Sequence, residues 1–192
     1  MRAFNIESVL VGDQVQSKEG PLVQIRFQWW KDAIDALFKG QGAPKHPVVM
    51  ALQSIIEDQM AAIRQQPGIS AAKAPSVGGL PIKKYNLKRI LDSRETDLLD
   101  AQPPLSIEGL ERYSEGSASQ LLYLQLAAAG VASKEADHAA SHLGKAVGIS
   151  TLLRGTAFHA SNRRSYLPLD LCAEHGVSQA GPRLRWFIFR RQ

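Results

Sequence analysis

The chain has 192 residues, 44% hydrophobic and 21% charged, with a formal net charge of +5. That length and balance fit one folded domain with room for a core and exclude a disordered chain, and no apolar run approaches the roughly 20 residues a membrane-spanning helix needs. A single cysteine, Cys172, excludes an internal disulfide framework and a multi-cysteine metal cluster.

The positive charge is spread thinly. Its densest patches are Arg163-Arg164 and the final "RLRWFIFRRQ", and neither carries a nucleic-acid-binding motif. The start, "MRAFNIESVLV", shows neither a charged-then-apolar signal region nor an Arg/Ser-rich presequence, so an organelle address is expected from residues outside this sequence.

Residues 21–38, "PLVQIRFQWWKDAIDALF", open on a proline suited to a helix start and space Val23, Phe27, Trp30, Ile34 and Leu37 by threes and fours, which predicts an amphipathic helix. Its aromatic cluster, Phe27, Trp29 and Trp30, is expected in the core. A second helix is predicted from Pro47 to about Gln65, with Leu52, Ile55, Ile56, Met60 and Ile63 inward. Residues 67–81, "PGISAAKAPSVGGLP", have no periodicity and read as a flexible insertion. A third helix is predicted from about Tyr85, carrying "LKRILDSRETDLLD" with acidic and basic residues mingled, before Pro103 and Pro104.

Ser106 is a suitable N-cap for a helix running to about Ala129 and stopped by Gly130. Its apolar positions Leu110, Tyr113, Leu121, Leu122, Leu124 and Leu126 predict a largely buried element. Ser133 caps the next helix, with Glu135 and Asp137 in the first turn, and this helix continues through "HAASHLGKAVGISTLLR". There Ala139, Ala140, Gly144, Ala146 and Gly148 permit close approach of a neighbouring helix. With no alternating strand pattern and no internal repeat, the predicted class is all-α.

The succession "RAFNIES", "RFQWWKDAIDALF", "LDSRETDL", "YSEGSASQLLYL", "ADHAASHLGKAVGISTLLR" and "RRSYLPLDLCAEHGVS" resembles the squalene and phytoene synthase family of all-helical isoprenoid synthases, and more closely its mitochondrial branch of complex I assembly factors. The resemblance implies an isoprenoid-synthase-like helical bundle over residues 1–178, interrupted by the 67–81 insertion, with 179–192 as a divergent basic tail. Family members begin earlier and continue with further helices, so the bundle is expected to be incomplete, clipped at both ends, and aggregation-prone on its own.

Enzymes of this family hold prenyl diphosphates through Mg²⁺ ions and two aspartate-rich motifs. A hard cation needs carboxylate oxygens, and carboxylates four residues apart share a helix face. The resemblance places the first motif on "VLVGD", with Val9 at the leading aspartate position and only Asp13 kept. It places the second on "TLLRGTAFH", with Gly155 and His159 at the aspartate positions and Phe158 at the glutamate position. These departures imply a relic site without cofactor or catalysis. The branch implies a non-catalytic assembly factor for respiratory complex I (NADH:ubiquinone oxidoreductase), on the matrix side of the mitochondrial inner membrane. Its implied partners are complex I subunits or assembly intermediates, with peripheral membrane contact and no nucleic acid. The alternative is a prenyl-diphosphate transferase of isoprenoid biosynthesis that still uses Mg²⁺.

Other residues carry possible chemistry of their own. His138 and His142, spaced i, i+4 beside Asp137, could bind a transition metal or form a hydrogen-bonded surface pair, and a further ligand such as His159 would have to come from nearby. Cys172 comes after Pro168 with Glu174 and His175 close by, and is expected to be buried and inert rather than an activated thiol. Arg154, Arg163 and Arg164 could attract a phosphate or a lipid headgroup directly.

Overall fold

The computed structural model describes residues 1–14, 20–64 and 82–177, and among them every regular element is helical. The chain runs through α1 (Arg2–Gln14), α2 (Gly20–Lys39), α3 (Pro47–Arg64), α4 (Lys84–Leu99), α5 (Ile107–Ser114), a π-helical turn (Glu115–Ser119), α6 (Gln120–Ala128), α7 (Lys134–Arg154), α8 (Thr156–Ser161) and α9 (Leu169–Glu174). The sequence-predicted insertion at 67–81 and the tail at 179–192 lie outside the described residues.

The periodic stripe of α2 is buried as its spacing dictates, and that of α3 only in part. In α2, Val23, Phe27, Trp30, Ala33, Ile34 and Leu37 are buried. Trp29 is the correction to the expected aromatic core: it is 40% exposed and meets the edges of Trp30 and His46 at 5.2 and 5.7 Å. It falls one position away from the inward stripe. In α3 the buried stripe is Val49, Leu52, Ile56 and Gln59, while Ile55 and Met60, expected inward, are 39% and 42% exposed. Gln59 takes the inward place because its Oε1 accepts the Ile82 backbone N–H at 3.0 Å, which pins the chain entering α4. Ile63 lies outside the described side chains.

α4 is the central element, packing against α1, α2, α5, the π turn and α6. Leu87, Ile90 and Leu91 are fully buried on its core face. One turn further along that face stands Arg94, a buried charge whose Nη1 donates to the Asn5 carbonyl at 2.6 Å and to Ser8 Oγ, and whose Nη2 donates to Asn5 Oδ1. Burial lowers the pKa of this guanidinium, so the bonds to α1 are what make a charge tolerable there. Nearer the surface, Lys31 pairs with Asp92 at 2.7 Å and Glu95 at 2.6 Å, and Asp35 pairs with Lys84 at 2.7 Å and Lys88 at 3.1 Å. These pairs fix the rotation of α2 on α4 more than they stabilise it, each being worth about 1 kcal/mol or less.

The helix predicted from Ser106 to Ala129 is not continuous. Its middle widens into the π turn, where the Ser117 hydroxyl donates to the Tyr113 carbonyl at 2.7 Å and Gln120 Nε2 donates to the Glu115 carbonyl at 3.0 Å. Leu110 and Leu124 are buried, whereas Tyr113, Leu121, Leu122 and Leu126 are half-buried. Ser106 does not cap through its side chain: its hydroxyl is drawn to the stronger charged acceptor Glu108. Ser133 does cap α7, accepting from the Ala136 N–H at 3.2 Å, and Gly130 ends the preceding helix at φ 74°.

The π turn lies between α4 and α7 and makes both contacts with small residues. A Cβ on Gly144 of α7 would stand 2.4 Å from Ser119 Cα and 2.6 Å from its nitrogen. A Cβ on Gly148 would stand 2.6 Å from Ser114 Cβ and 2.5 Å from its Oγ, and one on Gly116 would meet Ser93 Cβ at 3.0 Å. A hydroxyl can turn aside by rotating about χ1, but backbone atoms and a Cβ cannot, and Ser114 Cα would also stand 3.1 Å from a Cβ on Gly148. Gly144→Ala and Gly148→Ala are therefore each expected to destabilise the fold by about 3 kcal/mol, and Gly116→Ala, whose closest obstacle is the Ser93 hydroxyl, by less. Urea unfolding of the three variants measures this, and full tolerance of alanine at Gly144 or Gly148 would contradict so close an approach.

Candidate functional site

Val9 and Asp13 stand one turn apart on α1, and Val9 is 54% exposed. The second set of motif positions lies where α7 meets α8. Gly155 ends α7, and α8 carries Phe158, 69% exposed, and His159, half-buried. His159 leans back over Gly155, its Nε2 2.7 Å from where a Cβ on that glycine would stand. The two positions thus remain neighbours on one helical turn, as a shared metal would require, but an imidazole fills the space between them. Val9, Gly155 and Phe158 offer no ligand atom, and a lone imidazole is a poor Mg²⁺ ligand, so these residues do not fit a Mg²⁺–diphosphate site. Among the described residues, no group of three His, Cys, Asp or Glu could hold a metal ion.

His159 faces a half-buried ion pair. Its ring lies 4.6 Å from that of Tyr166, edge to face. The Tyr166 hydroxyl donates to Asp97 Oδ2 at 2.8 Å, and Arg164 Nη2 sits 3.2 Å from Asp97 Oδ1 while also donating to the Asp97 carbonyl. The Arg164 guanidinium lies 5.4 Å from the centre of the Tyr166 ring. Arg164, expected to be available to an anion, is therefore engaged inside the protein; Arg154 and Arg163 remain exposed, the latter at a left-handed φ of 57°. Burial raises the pKa of Asp97, with Arg164 and the Tyr166 hydroxyl pulling the other way, and it raises that of Tyr166 as well. Burial also lowers the pKa of His159, helped by the nearby charge of Arg164.

Beside this cluster, between α4 and α5, lies a cleft of about 360 Å³ whose walls include Arg89, Asp97, Pro104, Arg112, Tyr113 and Tyr166. None of Val9, Gly155, Phe158 and His159 lines it. Cys172 is buried in α9, as expected, and His138 and His142 are exposed together on α7.

Residues 1–186 match the squalene/phytoene synthase family. The chain belongs to that family. Its curated relatives include "NADH dehydrogenase (ubiquinone) complex I, assembly factor 6" of Rattus norvegicus, 40% identical over 179 residues that make up 93% of this chain and 46% of the relative. The Homo sapiens protein of the same name is 37% identical over the same shares, and a Drosophila melanogaster homolog is 35% identical over 185 residues, 93% of this chain and 48% of the relative. The chain spans about half the length of the curated relatives it matches. No solved structure matches it. The all-α, isoprenoid-synthase-like class expected from the sequence is that of the family.

In this squalene/phytoene synthase family member, the polar residues that sequence reasoning passed over are Arg94 and Asp97. A signal for Arg94 was present: it continues the core spacing of Leu87, Ile90 and Leu91, where a charge must find partners. Asp97 had none, because its partner Arg164 is 67 residues away in sequence.

The neutral form of His159 is the one this cluster favours. An unfolded chain takes up the histidine proton near the ordinary value of about 6.5, and the folded chain only at lower pH. Between the two, the unfolded state binds more protons, so stability rises with pH there and is lost as pH falls through the folded value. Asp97 works oppositely in the acid range, where its raised carboxyl loses stability as pH climbs through the folded value. The thermal midpoint is expected to fall between about pH 7.5 and about pH 5.5, with His159→Gln flattening the decline. Parallel profiles for the two proteins would show that His159 is not the group responsible.

Proposed function

We propose that the chain is part of a non-catalytic assembly factor for mitochondrial respiratory complex I, built on a prenyl-synthase frame that works without Mg²⁺. The observation that carries this reading is the α7–α8 junction, where a glycine, a phenylalanine and a packed histidine stand at the positions the family resemblance assigns to metal-binding carboxylates. Function resides in the site rather than the fold, so loss of these ligands weighs more than the family's chemistry. The names of the rat, human and fly relatives support the same reading.

The partners are then complex I subunits or assembly intermediates, met on the matrix side of the inner membrane. Contact with that membrane is read as peripheral; among the described residues no helix is long and apolar enough to cross one. Leu143 and Val147, one turn apart on α7 and 56% and 49% exposed, and Phe158 on α8 give apolar surface of the kind that protein partners cover. Disrupting the gene is expected to remove complex I from native gels while the other respiratory complexes still assemble. Normal complex I levels in such cells would overturn the proposal.

A further inference from the structure

We infer that His138 and His142 form a surface chelate for a borderline divalent transition metal ion, with Zn²⁺ the best match. The two residues lie one turn apart on α7, both exposed, with Nε2 atoms 3.2 Å apart and ring centres 4.6 Å apart at 73°. Two imidazoles bound to one Zn²⁺ at about 2.05 Å would hold their nitrogens about 2.9 Å apart at a right angle and about 3.4 Å apart at the tetrahedral angle. The observed separation falls inside that range, and both Nε2 atoms meet on the same side of the helix.

Without metal, the same geometry carries one proton between the rings: one Nε2–H donates and the other Nε2 accepts. Metal binding needs both Nε2 lone pairs, so the donating histidine moves its proton to Nδ1 and no proton is released while both rings are neutral. The scaffold is held on either side of the pair. The Ser133 cap fixes the first turn of α7, and Gly144, two residues past His142, is locked against Ser119. A helix so fixed presents the pair without reordering, which favours binding. Imidazole suits Zn²⁺, Ni²⁺ and Cu²⁺ and not Mg²⁺. The pair supplies two ligands where a catalytic zinc site uses three, so water or a partner's side chains complete the coordination.

The test is a competition titration of the purified chain with a zinc-sensitive dye, repeated with Ni²⁺ and Mg²⁺. One saturable Zn²⁺ site is expected, weakened by about tenfold or more in both His138→Ala and His142→Ala, unchanged in His175→Ala, and absent for Mg²⁺. Far-ultraviolet circular dichroism identical to that of the parent would show that the variants are folded. A chain that fails to saturate with Zn²⁺, or binds it equally well as His142→Ala, overturns the inference.

Discussion

The seat of the π turn between α4 and α7 is the constraint on which the rest of the molecule depends. Gly116 lets it touch Ser93 on one side, and Gly144 and Gly148 let α7 close over Ser119 and Ser114 on the other. At such spacing there is no slack for α7 to rotate, because interiors are packed as densely as crystals. The position of α7 in turn sets where α8 starts, and so where His159 meets Tyr166 and the ion pair of Asp97 and Arg164. An inserted residue in mid-helix, usually a local disturbance, here aligns the half of the chain that carries the site.

A buried charge and a half-buried one close the structure at its other joints. Arg94 fastens α1 to α4 through Asn5 and Ser8, and Asp97 fastens the segment after α8 to the end of α4 through Arg164 and Tyr166. Neither gains much from Coulomb attraction once desolvation is counted, as the upward pKa shift of Asp97 shows. Their effect is on specificity: removing a single partner strands the other polar group in a dry environment, so alternative packings of these helices are disfavoured.

Much of the fold was legible in the sequence, for identifiable reasons. Pro47, the Ser133 cap and Gly130 are local signals with local causes, and each marks a helix end where expected. The spacing of α2 gave its buried face, and the small residues of α7 announced a close approach without naming its partner. The π turn was not legible, because the run from Ser106 to Ala129 is helix-compatible throughout and only the neighbouring helices force it to widen. At the site, resemblance pointed to Val9, Gly155, Phe158 and His159, but the surroundings of His159 depend on contacts distant in sequence. Arg164 looked like a free cation for the same reason, its carboxylate lying in another helix.

The helical class of the squalene/phytoene synthase family persists here, and on the proposed reading its metal ligands have given way to packing. His159 turns inward to Tyr166 rather than outward to a cation, and the nearby cleft is bounded by other residues. The most direct measurement is calorimetric titration of the purified chain with farnesyl diphosphate, in Mg²⁺ and again in chelator. No Mg²⁺-dependent binding heat and no release of inorganic diphosphate are predicted. Saturable binding that requires Mg²⁺, accompanied by diphosphate release, would contradict the loss of the metal site.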